Sequence, residues 1–369
     1  MNDSPAGLRD IDLVYAFPTG LNAVATWNKT LMPQQGEEFR TKGAHVFLGP
    51  AMAVTRAPEA GRQWVSFGVD CMTDRSMTTS YIFFPTPAYL TGEVVYATVV
   101  GVQSTGVQAC AKHFIGNQQE SFRCSESSII DQRTLQEKYA SPFQRAVRAG
   151  VMCVICSYSR ISGTYACENA ALIGETGLLK GQLGFKGYVV SDWGRTHGLA
   201  IGNTAAGLDI EMPGDWILIG GGVLCIVVDT MVTRMLIPYF RLGQDQGFPA
   251  INFNFQSSSS NSHVNARTTA HTALIRIIGG ASAVLLKNLN NALPLVSPDN
   301  IGVVGLNAGP NVGCTLNACD AVRMLFRWGS GTNSLAYLVA PITAIQAQVN
   351  ATVAAGHATT LVDLERSNR

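Results

Sequence analysis

The sequence predicts an α/β protein: a parallel-stranded, barrel-like domain of the (β/α)8 TIM-barrel type, followed by a smaller, partial α/β unit. Three observations carry that expectation. Short apolar, β-branched runs alternate with segments of helical spacing, the pattern of parallel strands joined by crossover helices. The length, 369 residues, suffices for two domains or for one large barrel with an extension. Charged residues make up 14% against a usual value of about 25%, hydrophobic residues 47%, and glycine fills 37 positions, a composition of compact, turn-rich chains that excludes global disorder.

The strand series starts with His45-Val46-Phe47-Leu48, stopped by Gly49-Pro50, and continues with Val107-Gln108-Ala109-Cys110-Ala111-Lys112-His113. Residues 151–158, 187–192 and 207–212 complete it. Leu135, Tyr139, Phe143, Ala146 and Val147 recur at intervals of three and four, which marks an amphipathic helix ending near Gly150. A further helix is expected over 168–183. The pattern breaks at Gln244-Asp245-Gln246-Gly247-Phe248-Pro249, and with the serines at 257–260 this reads as a linker. Beyond it the spacing predicts a helix over 267–278 and strands over 283–287, 301–306 and 361–364. The expected division is therefore a first domain over 1–240, a linker over 241–266 and a second, incomplete unit over 267–369.

Lys plus Arg number 26 and Asp plus Glu 25, a net charge of +1 without a basic block, so the chain has no electrostatic footprint for nucleic acid or an anionic membrane. A neutral small-molecule substrate fits that balance. The longest strongly apolar run, 216–228, has 13 residues, whereas a membrane span needs about 20. The chain as written opens without a basic or apolar leader, so it shows no signal peptide. Nine cysteines cannot all pair within the chain. Cys153 and Cys156 form a CxxC inside an apolar run, where strand geometry sends them to opposite faces, so core packing is expected rather than a zinc or redox site. Cys156 with Cys167 and Cys314 with Cys319 could close short disulfide loops in an extracellular protein, and the sequons at Asn28 and Asn350 fit that compartment. The six histidines are scattered, and no HExxH, EF-hand or P-loop pattern occurs. The stretch Gly305-Leu306-Asn307-Ala308-Gly309-Pro310 lacks the GxGxxG spacing, so no metal or nucleotide cofactor is expected.

Active sites of parallel barrels lie at the C-terminal ends of the strands, where the following loops converge. The polar residues at these ends are Lys112-His113, Ser157-Tyr158, Ser191-Asp192-Trp193 and Glu211. A carboxylate beside an indole, with cations and a tyrosine on neighbouring strands, suits sugar chemistry: the carboxylate meets an oxocarbenium-like carbon, the indole packs on C–H faces, and the cations hold hydroxyls. Asp192 is equally suited to cap a following helix, Lys112 and His113 to form a buried satisfied pair, and Trp193 to fill the core.

Three strings give the chain a resemblance to the fungal β-glucosidases of glycoside hydrolase family 3. They are Ala111-Lys112-His113-Phe114-Ile115-Gly116-Asn117, Cys156-Ser157-Tyr158 with Tyr165-Ala166-Cys167-Glu168-Asn169, and Leu183-Gly184-Phe185-Lys186-Gly187-Tyr188-Val189-Val190-Ser191-Asp192-Trp193. Ala206-Gly207-Leu208-Asp209, Met212-Pro213-Gly214-Asp215 and Trp328-Gly329-Ser330-Gly331-Thr332 continue it in family order. The resemblance implies a barrel-like catalytic domain followed by a partial α/β sandwich. It also implies an extracellular, cofactor-free retaining enzyme that removes terminal glucose from cellobiose, cello-oligosaccharides and other β-glucosides. Asp192 matches the nucleophile and Trp193 the wall beside it. Asp3, in Asp3-Ser4-Pro5-Ala6-Gly7-Leu8-Arg9, together with Arg62, Lys112 and His113, matches the hydroxyl-binding cluster, and Tyr158 matches the tyrosine that orients the nucleophile. The chain departs from the pattern at Gln63-Trp64-Val65, which loses a carboxylate, at Ile155 and Ser159, over residues 69–86, which read as an insertion, and after Asp215, where the segment is short and apolar. The family's acid/base glutamate is expected beyond Arg369, since neither Glu211 nor Glu365 stands in its context. The same resemblance therefore also admits an inactive fragment or a non-catalytic glucoside-binding homologue.

Overall fold

Five short parallel strands build the first unit: β1 (Asn2–Asp3), β2 (Val46–Leu48), β3 (Gln108–Phe114), β4 (Cys153–Cys156) and β5 (Tyr188–Val190). They lie side by side in chain order, with Asn2 opposite Phe47, Val46 opposite Gln108, Cys110 opposite Cys153 and Cys153 opposite Tyr188. A parallel bridge from Val190 to Ile210 extends the β5 edge, which is as far as the expected strand over 207–212 forms. The computed structural model describes residues 1–3, 5–31, 35–54, 60–67, 87–214, 223, 225–254, 261–296, 298, 300–305, 308–309, 329–331, 333, 335–354 and 361–365. The insertion read over 69–86, the apolar stretch after Asp215 and the Cys314–Cys319 pair all fall largely or wholly outside these residues.

Both faces of the sheet are buried, as parallel sheets require. Phe47, Ala109, Ala111, Phe114, Val154 and Val189 point to the helices, while Val46, Leu48, Cys110, Cys153, Ile155, Tyr188 and Val190 point the other way and form a second cluster. The period of two explains both sets, apart from Phe114, which the register shift after Lys112 turns to the helix side. It also explains the CxxC: Cys153 bonds Cys110 on the inner face, and Cys156 bonds Cys167 on the outer. The second pairing is the expected one, whereas simple core packing of Cys153 gives way to a cross-strand disulfide.

The helices follow their spacing in part. Helical residues run from Gln132 to Arg148 through a π-helical stretch, and Gly150, at φ +78°, closes the helix with paired bonds from Val151 N to Ala146 O and from Gly150 N to Val147 O. This helix packs against Pro87–Ser104, and Phe143 meets Phe114 edge-on at 4.8 Å. The single helix expected over 168–183 is broken instead. It is a 3-10 turn (Ala166–Glu168), a short α-helix (Ala170–Ile173) and a π-helix (Leu178–Gln182), because Gly174 and Gly177 take extended conformations between them.

The expected linker carries a plug. Gln244 is buried below the N-terminal ends of the strands, donates to His45 O and Gly106 O, and accepts from Gln108 Nε2, whose Oε1 in turn accepts from Tyr188 Oη. Past the linker, the helix Thr269–Ala281 is capped by Thr268 and docks back on the first unit through Leu274 and Ile278 against Phe17. Residues 283–287, expected as a strand, pair with nothing among the described residues and are exposed. Next come β6 (Asn300–Val304), the helix Pro341–Ala354 and β7 (Leu361–Glu365), with the two strands parallel and in register from Asn300 opposite Leu361.

Candidate active site

A cavity of about 530 Å³ opens at the C-terminal ends of the five strands, within the usual range of ligand pockets. Asp3, Arg62, Lys112, His113, Tyr158, Asp192 and Trp193 all line it. The sheet supplies most of them: Asp3 ends β1, Lys112 and His113 lie in β3, Tyr158 follows β4, and Asp192 and Trp193 follow β5. Neighbours in a regular strand face opposite ways. The β3/β4 register shifts between Lys112 and Phe114, and this irregularity lets Lys112 and His113 face the same cavity.

Asp192 decides between the readings its sequence left open. Its Oδ1 accepts from the adjacent Trp193 N at 2.8 Å, and its Oδ2 stands 3.3 Å from His113 Nε2. The next helix, Ala200–Ala206, starts after Leu199, so Asp192 caps no helix. Lys112, almost fully buried, bonds Asp3 Oδ1 at 2.8 Å, and Arg9 approaches Asp3 Oδ2 at 3.7 Å. It is thus a satisfied pair and a wall of the cavity at once. Trp193 is 51% exposed, so its indole borders the cavity rather than filling the core.

Burial raises the Asp192 carboxyl above the ordinary carboxylate range, against the opposing pull of Lys112, the Trp193 N–H and Arg62. Burial likewise drives His113 well below the usual imidazole value, and Arg62, Lys112 and Arg123 add to it, so the ring is neutral. Tyr158 is pushed up by burial and by the Asp192 charge, which keeps its hydroxyl protonated.

The cavity also contains residues that the sequence reading did not single out. Glu120 sits between Arg62, at 3.5 Å, and Arg123, at 2.5 Å. The Arg123 guanidinium lies 3.8 Å from the centre of the Tyr158 ring, with Arg195 5.1 Å from the same centre. From far along the chain, Ser330 Oγ accepts from Arg62 Nη2 at 3.0 Å, and Gly331 fits against Trp64, where a Cβ would stand 2.1 Å from the indole Cη2. Glu120 and Arg123 carry a signal in hindsight: charges three apart in the loop after the strand that holds Lys112. Of the other strand-end residues, Ser191 lines the cavity and accepts from Met212 N, whereas Ser157 turns inward to Ile115 O and Glu211 lies outside the lining. The side chain of Glu365 lies outside the described residues. Among the described residues, no group of three or more His, Cys, Asp or Glu is arranged to hold a metal ion, and no helix is long and apolar enough to cross a membrane.

A parallel α/β frame with a carboxylate, an indole and cations at its strand ends is an arrangement suited to sugar chemistry. The chain belongs to glycosyl hydrolase family 3: the family's N-terminal domain matches residues 14–212. It is 41% identical over 372 residues to the probable beta-glucosidase L of Aspergillus terreus, covering 94% of this chain and 47% of that protein. Among solved structures, beta-glucosidase D2-BGL from Chaetomella raphigera is similar with a TM-score of 0.84 and 38% identity, covering 99% of this chain and 50% of that one. A beta-glucosidase from Kluyveromyces marxianus in complex with glucose is similar with a TM-score of 0.76 and 25% identity, over 98% and 41% of the two chains. The chain spans about half the length of the curated relatives it matches.

Proposed function

We propose that this chain forms the glucose-binding and nucleophile part of a retaining β-glucosidase acting on terminal β-D-glucosyl residues of cellobiose, cello-oligosaccharides and related glucosides. The observation that carries the reading is the Asp192 carboxylate in the strand-end cavity, 3.3 Å from His113 Nε2 and beside the open face of Trp193. In this reading Asp192 attacks the anomeric carbon as the glycosidic C–O bond breaks, forming a glucosyl ester while the aglycone departs through its oxygen, and water then hydrolyses the ester to release glucose. Neutral His113 and the protonated Tyr158 steady its charge, Trp193 packs on the sugar, and Asp3, Arg62 and Lys112 hold the hydroxyls. The five strands are then part of a closed (β/α)8 barrel over 1–240, joined by the linker 241–266 to a sandwich-type unit over 267–369. The two disulfides suit an oxidising, extracellular setting. Asn28, exposed and accepting from Thr30 N and Oγ1, then suits N-glycosylation.

A retaining mechanism needs a second carboxyl group about 5 to 5.5 Å from the nucleophile. We assign that role to no residue of this chain, since Asp3 is held by Lys112 and Arg9, and Glu120 by Arg62 and Arg123. The same observation favours a second reading, in which the chain binds glucosides without turning them over.

The test is a 2-deoxy-2-fluoro-β-glucoside with a dinitrophenyl leaving group, which departs without protonation. Intact-mass analysis and peptide mapping are expected to find one glucosyl adduct on Asp192, lost in Asp192→Asn. The rate of labelling is expected to fall on the acid side of a midpoint above the ordinary carboxylate value of 3.8, because the raised carboxyl must ionise before it attacks. Folded chain that binds glucose but takes no adduct would support the binding reading instead.

A further inference from the structure

Val189, three residues before Asp192, is fully buried in β5 and bonds away from β4. Its amide N donates to Asp209 Oδ2 at 2.7 Å, and its carbonyl accepts from Asp209 N and Ile210 N at 2.9 and 3.0 Å. On this side, among the described residues, β5 has only the single bridge from Val190 to Ile210, so a side-chain carboxylate stands where a ladder carbonyl would. The same segment then runs past the nucleophile. Ser191 N bonds Ile210 O at 2.8 Å, and Gly194 N bonds Met212 O at 2.7 Å, bracketing Asp192 on both sides. Asp209 is itself fixed from behind. Lys180 Nζ reaches its Oδ2 at 3.1 Å and Gly207 O at 2.7 Å, and Arg234 Nε stands 3.9 Å from its Oδ1. None of these three residues lines the cavity.

We propose that Asp209 is a positioning residue for the nucleophile, acting through its bond to the Val189 amide rather than through its ion pair with Lys180. This rests on the reading of Asp192 as the nucleophile. On its second side the strand end that bears Asp192 is tied by backbone bonds to Asp209, Ile210 and Met212 and by one side chain, Asp209, on the Val189 amide, and in this reading the rail from Ile210 to Met212 keeps its register only while that side-chain tie holds. A displaced nucleophile loses rate more than binding, because the sugar is held by residues of other strands.

The experiment measures labelling of the full chain by the dinitrophenyl 2-deoxy-2-fluoro-β-glucoside as a maximal rate constant and a half-saturating concentration. Alongside it, hydrogen exchange is followed in the peptide containing Val189. Asp209→Ala, which removes the acceptor, is expected to lower the rate constant about 10- to 100-fold with half-saturation changed less than about threefold, and to speed exchange at Val189. Asp209→Asn keeps an acceptor and Lys180→Met keeps the carboxylate, so both are expected to label within about threefold of the parent and to keep Val189 protected. Slow labelling by a folded Asp209→Asn or Lys180→Met overturns the inference, and that result is read even where Asp209→Ala does not fold. A labelled parent with an unaffected Asp209→Ala overturns this inference alone. A parent that takes no label overturns the reading of Asp192 and this inference with it.

Discussion

The first unit buries its apolar side chains on both faces of its sheet, with Phe114 and Val154 toward the helices and Tyr188 and Val190 toward the interior. The stretch after the helix Thr269–Ala281 leaves many of its own in water: Val284, Leu285, Leu286, Leu289 and Val296 are between 61% and 90% exposed. In β6, exposed residues alternate with half-buried ones and none is fully buried. The cavity follows this division. Asp3, Lys112, His113, Tyr158, Asp192 and Trp193 are carried by or beside strands anchored on both faces, while the later part of the chain contributes Ser330 and Gly331. A site needs its reacting groups on the part of the fold that cannot shift, and here that part is the sheet.

The sharpest test of the comparison is Phe114→Ala. Phe114 is fully buried, packs edge-on to Phe143 and adjoins His113 in β3, so truncation is expected to cost about 3 to 5 kcal/mol in urea unfolding and to abolish labelling of Asp192. An unfolding midpoint close to that of the parent would break the view of a tightly packed first unit. Gly331→Ala comes next. Its Cβ would collide with the Trp64 indole, so the rim must open, and glucose affinity is expected to fall about tenfold, equivalent to about 1.4 kcal/mol, with stability little changed. Unchanged affinity in isothermal titration would mean that the Ser330–Gly331 turn does not close the cavity in solution.

Four of the five sheet strands were legible in the sequence because they are short β-branched runs cut off by glycine, proline or charge, and the strand-end residues followed from them. The broken helix over 168–183 was not. Its apolar spacing survives the break, and the turns depend on Gly174 and Gly177, which a helix tolerates one at a time. The strand expected over 283–287 had the right composition but no partner in space, which local pattern does not reveal. At the site, the sequence pointed to Asp192, Lys112 and His113 but not to Glu120 and Arg123, which lie on a loop without periodicity. It gave no sign that Gln244, in a stretch of linker composition, would plug the strand ends.

The contact of the helix Thr269–Ala281 with the sheet-bearing part offers a smaller, pH-dependent effect. His271, on the helix Thr269–Ala281, is buried with Nδ1 2.9 Å from Glu38 Oε1 and Nε2 3.0 Å from Glu37 Oε2, and Glu38 also accepts from Tyr15 N. Two carboxylates facing both ring nitrogens require the imidazolium. The bond to Glu38 raises its pKa most, burial opposes it, and Glu37 adds to the rise. A folded value above the ordinary 6.5 means that the contribution is full below about pH 6.5 and is lost as pH climbs through the folded value. His271→Gln is therefore expected to lower Tm most near pH 5.5 and least in the alkaline range, and a gap independent of pH would break the assignment of a charged clamp.

The smallest effect is expected in the exposed strip over 284–296. Leu286 is 90% exposed and flanked by exposed Val284 and Leu285, so Leu286→Ser removes no buried contact and is expected to change unfolding free energy by less than about 0.5 kcal/mol. The exposed strip is also an aggregation liability, so the same substitution is expected to reduce self-association in sedimentation velocity. A loss of stability of 2 kcal/mol or more, the range of a buried leucine, would show that the strip is covered in solution and that it and the sheet differ less in packing than their exposure implies.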